Sequence, residues 1–257
     1  MKEKRIIYYK DELNDEFSKA KITPRIIDET YLYEHKNSWW NFASFLLQNI
    51  LSMPVKIIYG KMKLRMKYIG KEKLKQYKKQ GYFIYANHTQ EFADVFIPSL
   101  PVYPKRNFFI VNPENVSMKY LENAVQMLGA IPIPSNIKAM KNFMESIKTK
   151  INKKYSITIY PEAHIWPFYT KIRPFKAVSF KYPVQLNTPT FCMTNTYQQH
   201  GKNKFRLVTY IDGPFFADQS KSVKEQQQEL RDMVYNKMVE RSKNSNYEHI
   251  KYIKDNK

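Results

Sequence analysis

Apolar residues fall into short runs along this chain, and from residue 65 onward these runs alternate with longer amphipathic stretches. The runs predict strands at residues 65–69, 82–86, 107–111, 130–133, 156–160, 189–195 and 205–211. The stretches between them predict helices at residues 71–79, 91–99, 116–127, 137–150, 175–181 and 222–243. Alternating strands and helices are typical of α/β proteins, so we expect one sheet flanked by helices.

An uncharged segment precedes this pattern. Residues 38–55 contain no Asp, Glu, Lys or Arg, and their apolar side chains recur every three or four positions, as on one helix face: Trp39, Phe42, Leu46, Ile50 and Met53. The segment is too polar and slightly too short for a membrane-spanning helix, which needs about 20 mostly apolar residues. We predict a helix that lies in the membrane interface with its tryptophans as anchors. An amphipathic helix packed on a protein core is the alternative.

Positive charge is concentrated directly after this segment. Residues 56–79 hold nine Lys and Arg65 against Glu72 alone, and residues 61–68 alternate basic with apolar side chains. A strand there would present its cations on one face, and such cations are attracted to an anionic leaflet. Lysines that protect an edge strand against aggregation are the other interpretation, and the two are compatible.

The composition limits the classes of protein to which this chain can belong. Lys and Arg number 43 and Asp and Glu 23, so the 257-residue chain carries a formal charge of +20 and favours a polyanionic partner. Its length can bury a sizeable core in one domain. We divide it into an arm with the interfacial helix (residues 1–60), an α/β domain (61–243) and a polar C-terminal tail (244–257). The one cysteine, Cys192, lies in an apolar run and is interpreted as a core residue.

Two loops carry the candidate chemistry. The apolar run at residues 82–86 ends at Asn87 and His88, and Asp94 follows at the head of another apolar run. An imidazole oriented by a carboxylate can deprotonate an alcohol. The second loop reads YPEAH at residues 160–164 and is followed by RPFK at residues 173–176.

Together these loops resemble the glycerol-phosphate and lysophosphatidic acid acyltransferase family. The first family motif is Asn-His, four residues and Asp; the third is Phe-Pro-Glu-Gly with Pro-Phe-Lys downstream. Residues 128–133 are similar to a weakened second motif, and residues 182–186 to a fourth, proline-containing motif at the start of a strand. The resemblance covers residues 64–212, with the motifs in the family's order.

The resemblance implies catalytic and binding roles. His88 would be the general base and Asp94 would fix its tautomer. Asn87 would donate to an oxyanion or phosphate, and Glu162, with Arg173 and Lys176, would bind the acceptor. No cofactor is expected beyond the thioester donor, either acyl-CoA or acyl carrier protein, and no covalent enzyme intermediate is required.

The chain departs from the family pattern at three places. Five residues separate His88 from Asp94, so an uninterrupted helix would turn the carboxylate away from the imidazole, and Glu91 is an alternative orienting group. The arginine that usually follows the second motif is missing, and Lys138 or Arg173 could replace it. Ala163 stands where the third motif has glycine. These changes affect the choice of acceptor more than the acyl transfer.

The sequence therefore predicts an O-acyltransferase that moves a fatty acyl group from a thioester to a hydroxyl of a lysophospholipid or glycerol-phosphate-like acceptor. We expect it on the cytoplasmic face of an anionic membrane, peripheral or monotopic. A catalytically inactive membrane-binding relative is the alternative. A basic nucleic-acid-binding protein fits less well because no motif for nucleic acid appears and the cations adjoin an apolar, tryptophan-bearing segment, so no nucleic-acid partner is expected.

Overall fold

A computed structural model describes residues 5–17, 22–202 and 204–255. The strands are β1 (Arg5–Tyr9), β2 (Lys67–Ile69), β3 (Tyr82–Ala86), β4 (Asn107–Val111), β5 (Ala130–Pro132), β6 (Ser156–Ile159), β7 (Thr190–Gln199), β8 (Phe205–Phe215) and β9 (Ile250–Lys254). The α-helices are α1 (Ser38–Leu46), α2 (Ser52–Met62), α3 (Lys71–Lys75), α4 (Ser99–Val102), α5 (Glu122–Met127), α6 (Ile137–Asn152), α7 (Lys181–Gln185) and α8 (Val223–Ser242). A π-helical turn, Leu47–Leu51, joins α1 to α2, and 3-10 helices occupy Pro113–Val116 and Val178–Phe180.

A seven-stranded sheet organises these elements, with the order β2-β8-β7-β3-β6-β4-β5. Its neighbouring strands pair in parallel except β7 and β8, which are antiparallel. The central strand β3 is buried throughout because helices cover both faces of the sheet. Phe83 and Tyr85 pack in a cluster with side chains of α6 and α8, whereas Ile84 packs in a cluster with Leu74 of α3.

The structure confirms the α/β prediction, and each predicted strand overlaps an observed one. Two predictions are wrong in detail. Residues 91–98 form successive turns instead of a helix, and only Ser99–Val102 is helical. Residues 182–186, expected at the start of a strand, lie mostly in α7, and β7 starts at Thr190. Cys192 is fully buried on β7, as expected of a core residue.

The chain ends also differ from the prediction. Strand β1 lies in the N-terminal arm, where no strand was predicted, and β9 lies in the segment that was predicted to be a polar tail. The two strands pair in parallel, with Ile7 opposite Tyr252. Residues 250–254, which lie within the predicted tail, are therefore part of a second small sheet.

The segment Ser38–Met62 is long and apolar enough to cross a membrane by length and composition, and only 22% of its apolar stretch is buried. Its buried side is polar: Ser44, Gln48 and Asn49 hydrogen-bond to backbone carbonyls of the α/β body, and Lys56 bonds the carbonyl of Gln48. Its exposed side is apolar and comprises Trp39, Phe42, Phe45, Ile50, Leu51, Val55, Ile57, Ile58 and Met62. This segment is therefore not a core helix with an ordinary apolar inner face.

The lysine-rich region has a simpler structure than its alternating pattern suggested. Residues 61 and 62 end α2, and the strand is confined to Lys67–Ile69. That strand lies at one edge of the large sheet, in agreement with the edge-strand interpretation. Lys56 is buried, which lowers its pKa to about 8, and Lys73 pairs with Asp212 at 2.9 Å. The remaining lysines of residues 56–79 are exposed.

Candidate active site

The loop that contains His88 and Asp94 and the loop that contains Glu162 lie at the same edge of the sheet. Asn87 and His88 follow β3 directly, and residues 160–163 follow β6. These strands are parallel neighbours, with Tyr85 opposite Ile159, so their carboxyl ends bring the two loops together. Ligands of open α/β sheets bind at this edge, where the strands end and the chain is free to form loops.

His88 and Asp94 form a hydrogen-bonded pair. The imidazole Nδ1 lies 2.6 Å from Oδ2 of Asp94, and the same oxygen accepts the backbone N–H of Gln90 at 3.0 Å. Asp94 is buried whereas the His88 side chain is 18% exposed, so the imidazole reaches solvent and the carboxylate does not. Burial raises the pKa of Asp94, an effect that its bonds to His88 and to the backbone partly offset. With the Nδ1 proton held by Asp94, the tautomer leaves the Nε2 lone pair free to accept a proton.

Turns, and not a helix, accommodate the additional residue between these two side chains. The N–H of Asp94 donates to the carbonyl of Gln90, and that of Phe96 to the carbonyl of Ala93. Because residues 91–98 do not form a regular helix, the carboxylate is not carried around an axis away from the imidazole. Glu91 is exposed, and the Nδ1 atom of His88 pairs with Asp94.

Glu162 joins the second loop to the first. Its Oε2 atom accepts the backbone N–H of His88 at 2.9 Å, and its Oε1 atom accepts that of Arg173 at 2.9 Å. Arg173 donates to the carbonyls of Glu162 and His164. Burial raises the pKa of Glu162, and the nearby Arg173 cation partly offsets this effect. Both side chains are almost fully buried, at 1% exposed each, so in this structure they brace the loops.

The other predicted binding residues are placed differently. The Asn87 amide is buried and exchanges hydrogen bonds with the backbone N–H and carbonyl of Asn195 on β7. These two bonds tie the end of β3 to its neighbour β7, so in this structure the amide is engaged by the backbone of Asn195. Lys176 is exposed at the end of the second loop, and Lys138 is exposed on the first turn of α6. His164 faces Glu16 at 3.7 Å.

Tyr160 is a site residue whose contacts the sequence did not indicate. Its ring stacks on the imidazole of His88, with the centroids 4.4 Å apart, and its hydroxyl donates to the carbonyl of Asp94. It therefore supports both members of the pair. The sequence did offer one indication of this role. Tyr160 directly follows a predicted strand and precedes Pro161, and it occupies the position at which the third family motif has phenylalanine.

Ala163 adopts the backbone conformation that the family's glycine would favour, with φ at +63°. An L-residue in this region costs roughly 1–2 kcal/mol, and a glycine there adds about 0.5–1 kcal/mol of unfolded-state entropy. We therefore expect Ala163→Gly to keep activity and to leave the free energy of unfolding unchanged or higher by up to about 1 kcal/mol. Thermal and urea unfolding measure this.

A matched control is Ala139→Gly in α6, where a glycine should lower stability by about 1 kcal/mol because the helical backbone needs no positive φ. Ala163→Val should also be destabilising, since a β-branched side chain is strained at positive φ. Equal destabilisation by the two glycine variants would contradict this account of the loop.

The arrangement of His88 and Asp94 is suited to proton transfer. A solvent-reaching imidazole with a buried carboxylate behind it can take a proton from a hydroxyl and return it to a leaving group. In the ranges that the structure describes, no three His, Cys, Asp or Glu side chains are grouped as metal ligands.

Comparison with known proteins shows the family of this chain and a similar fold. A family model described as Acyltransferase matches residues 65–194, which include both loops, and the chain belongs to this family. Its fold is similar to the crystal structure of the 1-acyl-sn-glycerophosphate (LPA) acyltransferase, PlsC, from Thermotoga maritima. That match has a TM-score of 0.52 and 17% identity, and it covers 79% of this chain and 86% of that chain. No curated protein sequence matches the chain.

Proposed function

We propose that this protein transfers a fatty acyl group from a thioester, acyl-CoA or acyl carrier protein, to a hydroxyl of a lysophospholipid or glycerol-phosphate-like acceptor. The observation that carries this proposal is the His88–Asp94 pair at 2.6 Å, in a chain of the Acyltransferase family. The similarity of the fold to an enzyme named for 1-acyl-sn-glycerophosphate favours a glycerolipid acceptor.

In this mechanism Nε2 of His88 accepts the acceptor's hydroxyl proton while the oxygen attacks the thioester carbonyl carbon. The tetrahedral intermediate then expels the thiolate, which receives the proton back from the imidazolium. The ester bond forms, the carbon–sulfur bond breaks, and no group remains on the enzyme. Asp94 stabilises the imidazolium and keeps its ring oriented. Glu162 and Tyr160 hold the backbone and the ring of His88 in place.

The test is a transfer assay on the purified full chain in detergent. Labelled acyl-CoA and acyl carrier protein are offered separately, each with a panel of lysophospholipids, glycerol phosphate and simple alcohols. We expect a labelled ester with at least one phosphate-bearing acceptor. Transfer to none of the panel, by a folded protein with either donor, would contradict the proposed activity and would favour the inactive membrane-binding relative.

We also propose that the exposed side of Ser38–Met62 lies on an anionic leaflet, with the protein peripheral or monotopic on the cytoplasmic face. Hydrogen bonds hold the polar side of this segment against the body, so its apolar side faces outward along its length. An apolar outer face flanked by exposed lysines combines hydrophobic insertion with electrostatic attraction. Tyr59 of α2 contacts Phe92 and Phe96, which places this surface beside the turn that carries Asp94.

Vesicle co-sedimentation tests this placement. Replacing the exposed pair Trp39 and Phe42 by serine should weaken binding to anionic vesicles about tenfold or more, because two large apolar side chains lose their burial. High salt should weaken wild-type binding without abolishing it, since screening removes only the electrostatic share. Trp40 is left unchanged because it stacks on His35 and is only partly exposed.

The control is Val223→Ser with Met233→Ser on α8, which packs on the opposite face of the sheet from α2. Equal loss of binding in both double variants would contradict a specific docking face. Complete loss in high salt with no effect of the Trp39 and Phe42 changes would leave only a basic surface. Salt-indifferent, carbonate-resistant pelleting would instead indicate a transmembrane anchor.

A further inference from the structure

The two ends of the chain meet over the second active-site loop. Strands β1 and β9 and residues 10–17, here called the strap, lie outside the region that the family model matches. The strap packs on Trp166, which is fully buried. Tyr9, Phe17 and Tyr252 place their ring centroids 4.8, 5.1 and 5.2 Å from that of Trp166, and Tyr252 is stacked on it.

Among the described residues, three hydrogen bonds join the strap to residues 162–173. The indole N–H of Trp166 donates to the carbonyl of Asp15 at 2.8 Å. The hydroxyl of Tyr252 donates to the carbonyl of Pro167 at 2.8 Å, and Nη1 of Arg173 donates to the carbonyl of Glu12 at 3.1 Å. Each bond has one partner in the strap and one in residues 162–173.

The same loop holds the backbone around His88 from its other side. The N–H of Trp166 donates to the carbonyl of His88 at 3.1 Å, and that of Phe168 donates to the carbonyl of Thr89 at 3.0 Å. The carboxylate of Glu162 accepts a hydrogen bond from the backbone N–H of His88. The ring of Trp166 therefore contacts the strap, and the backbone N–H of Trp166 binds the backbone carbonyl of His88.

We propose that the strap positions the active-site histidine, with Tyr9, Trp166 and Tyr252 as positioning residues. This inference rests on the proposed acyl transfer. Releasing the strap would free Trp166 and would allow His88 to drift relative to the acceptor hydroxyl. Transfer requires the reacting atoms in near-contact geometry, so a displacement of an ångström lowers turnover strongly. Substrate binding depends on other contacts and should change less.

Adjacent tyrosines on β1 provide a matched pair. Tyr9 faces Trp166, whereas Tyr8 is 62% exposed. The parent for the test is the full chain with Trp39→Phe and Trp40→Phe, in which Trp166 is the one remaining tryptophan. In this parent, acrylamide quenching reports whether the strap is docked, independently of activity.

We expect Tyr9→Leu to increase the quenching of Trp166 and to lower kcat about tenfold, with less than about a threefold change in the KM of the acyl donor. Tyr8→Leu should leave quenching, kcat and KM at the parent's values. Tyr252→Phe removes only the bond to Pro167 and should lower kcat by a few-fold, about threefold. If Tyr9→Leu does not fold, the Tyr252→Phe variant alone decides whether the strap affects kcat.

Several results would overturn the positioning role. Increased quenching with unchanged kcat would show that the strap only covers the loop. A fall in kcat without increased quenching, or equal effects of Tyr8→Leu and Tyr9→Leu, would also contradict it. A folded wild-type chain that transfers no acyl group would contradict the proposed function and the positioning role with it, whereas an active parent with unchanged Tyr9→Leu turnover would contradict the positioning role alone.

Discussion

Replacing His88 by alanine should lower acyl transfer by about 10²-fold or more, the usual scale for the loss of a general base. The imidazole reaches solvent at the end of β3 while Asp94 holds its Nδ1 atom. No other imidazole shares this arrangement among the described residues, so no neighbour is placed to take over proton abstraction. Initial rates with saturating donor and acceptor measure the effect.

Two measurements make this result specific. His200 lies exposed just after β7, and His200→Ala should keep acyl transfer near the wild-type rate. Circular dichroism and thermal unfolding should show that the His88→Ala variant is folded. Near-wild-type turnover in folded His88→Ala protein would rule out the assignment of the base.

Asp94→Asn should lower kcat by about 10²-fold or more while the fold is retained. An asparagine is similar in size, but its amide can donate to Nδ1 and so favour the tautomer with the proton on Nε2, which cannot act as a base. The lost carboxylate also no longer stabilises the imidazolium. Burial of this position strengthens both effects, since water does not replace the missing charge.

Glu91 offers the matched change on the same turn. Its carboxylate is exposed, so Glu91→Gln should alter kcat by less than about twofold. Asp94→Asn and Glu91→Gln differ from wild type by the same chemical step, and only the first removes the partner of His88. A larger loss in Glu91→Gln than in Asp94→Asn would mean that the turn adopts another arrangement in the working enzyme.

The strands of the large sheet could be predicted from the sequence because their faces are covered. A strand such as β3 is apolar at every position, and its boundaries coincide with the change to Asn87 and His88. The same boundary located the loop that carries His88, since the ends of parallel neighbours meet at one edge. The helix predicted over 91–99 failed because apolar spacing does not reveal turns, and the added residue is accommodated there.

The role of the chain ends could not be predicted in this way. Arg5–Tyr9 and Ile250–Lys254 are separated by most of the chain, and each is a short run flanked by charged residues, so neither stands out from its surroundings as a strand. Their pairing depends on the surface that Trp166 and its loop present once the domain is folded. Glu162 and Arg173 were singled out by motif, but their burial and mutual bracing depend on the same tertiary contacts.

One signal was present in the sequence but was interpreted differently. The polar residues in the apolar segment looked like interruptions of a membrane-facing helix. Ser44, Gln48, Ser52 and Lys56 recur at every fourth position, and the structure turns all of them toward the body or toward their own helix carbonyls. Spacing on the polar side was as informative as spacing on the apolar side.

This inward polar side affects how a water-soluble form of the protein should be made. Arg106 lies over the rings of Phe108 and Tyr155 and donates to Gln48 and Ser44, so deleting residues 38–62 would remove the partners of a half-buried guanidinium. Trimming the chain as if the segment were a detachable anchor would therefore damage the domain that carries His88. Substituting polar residues at the outward positions, such as Ile50, Leu51 and Val55, keeps the hydrogen bonds of Arg106 and removes only the exposed apolar surface.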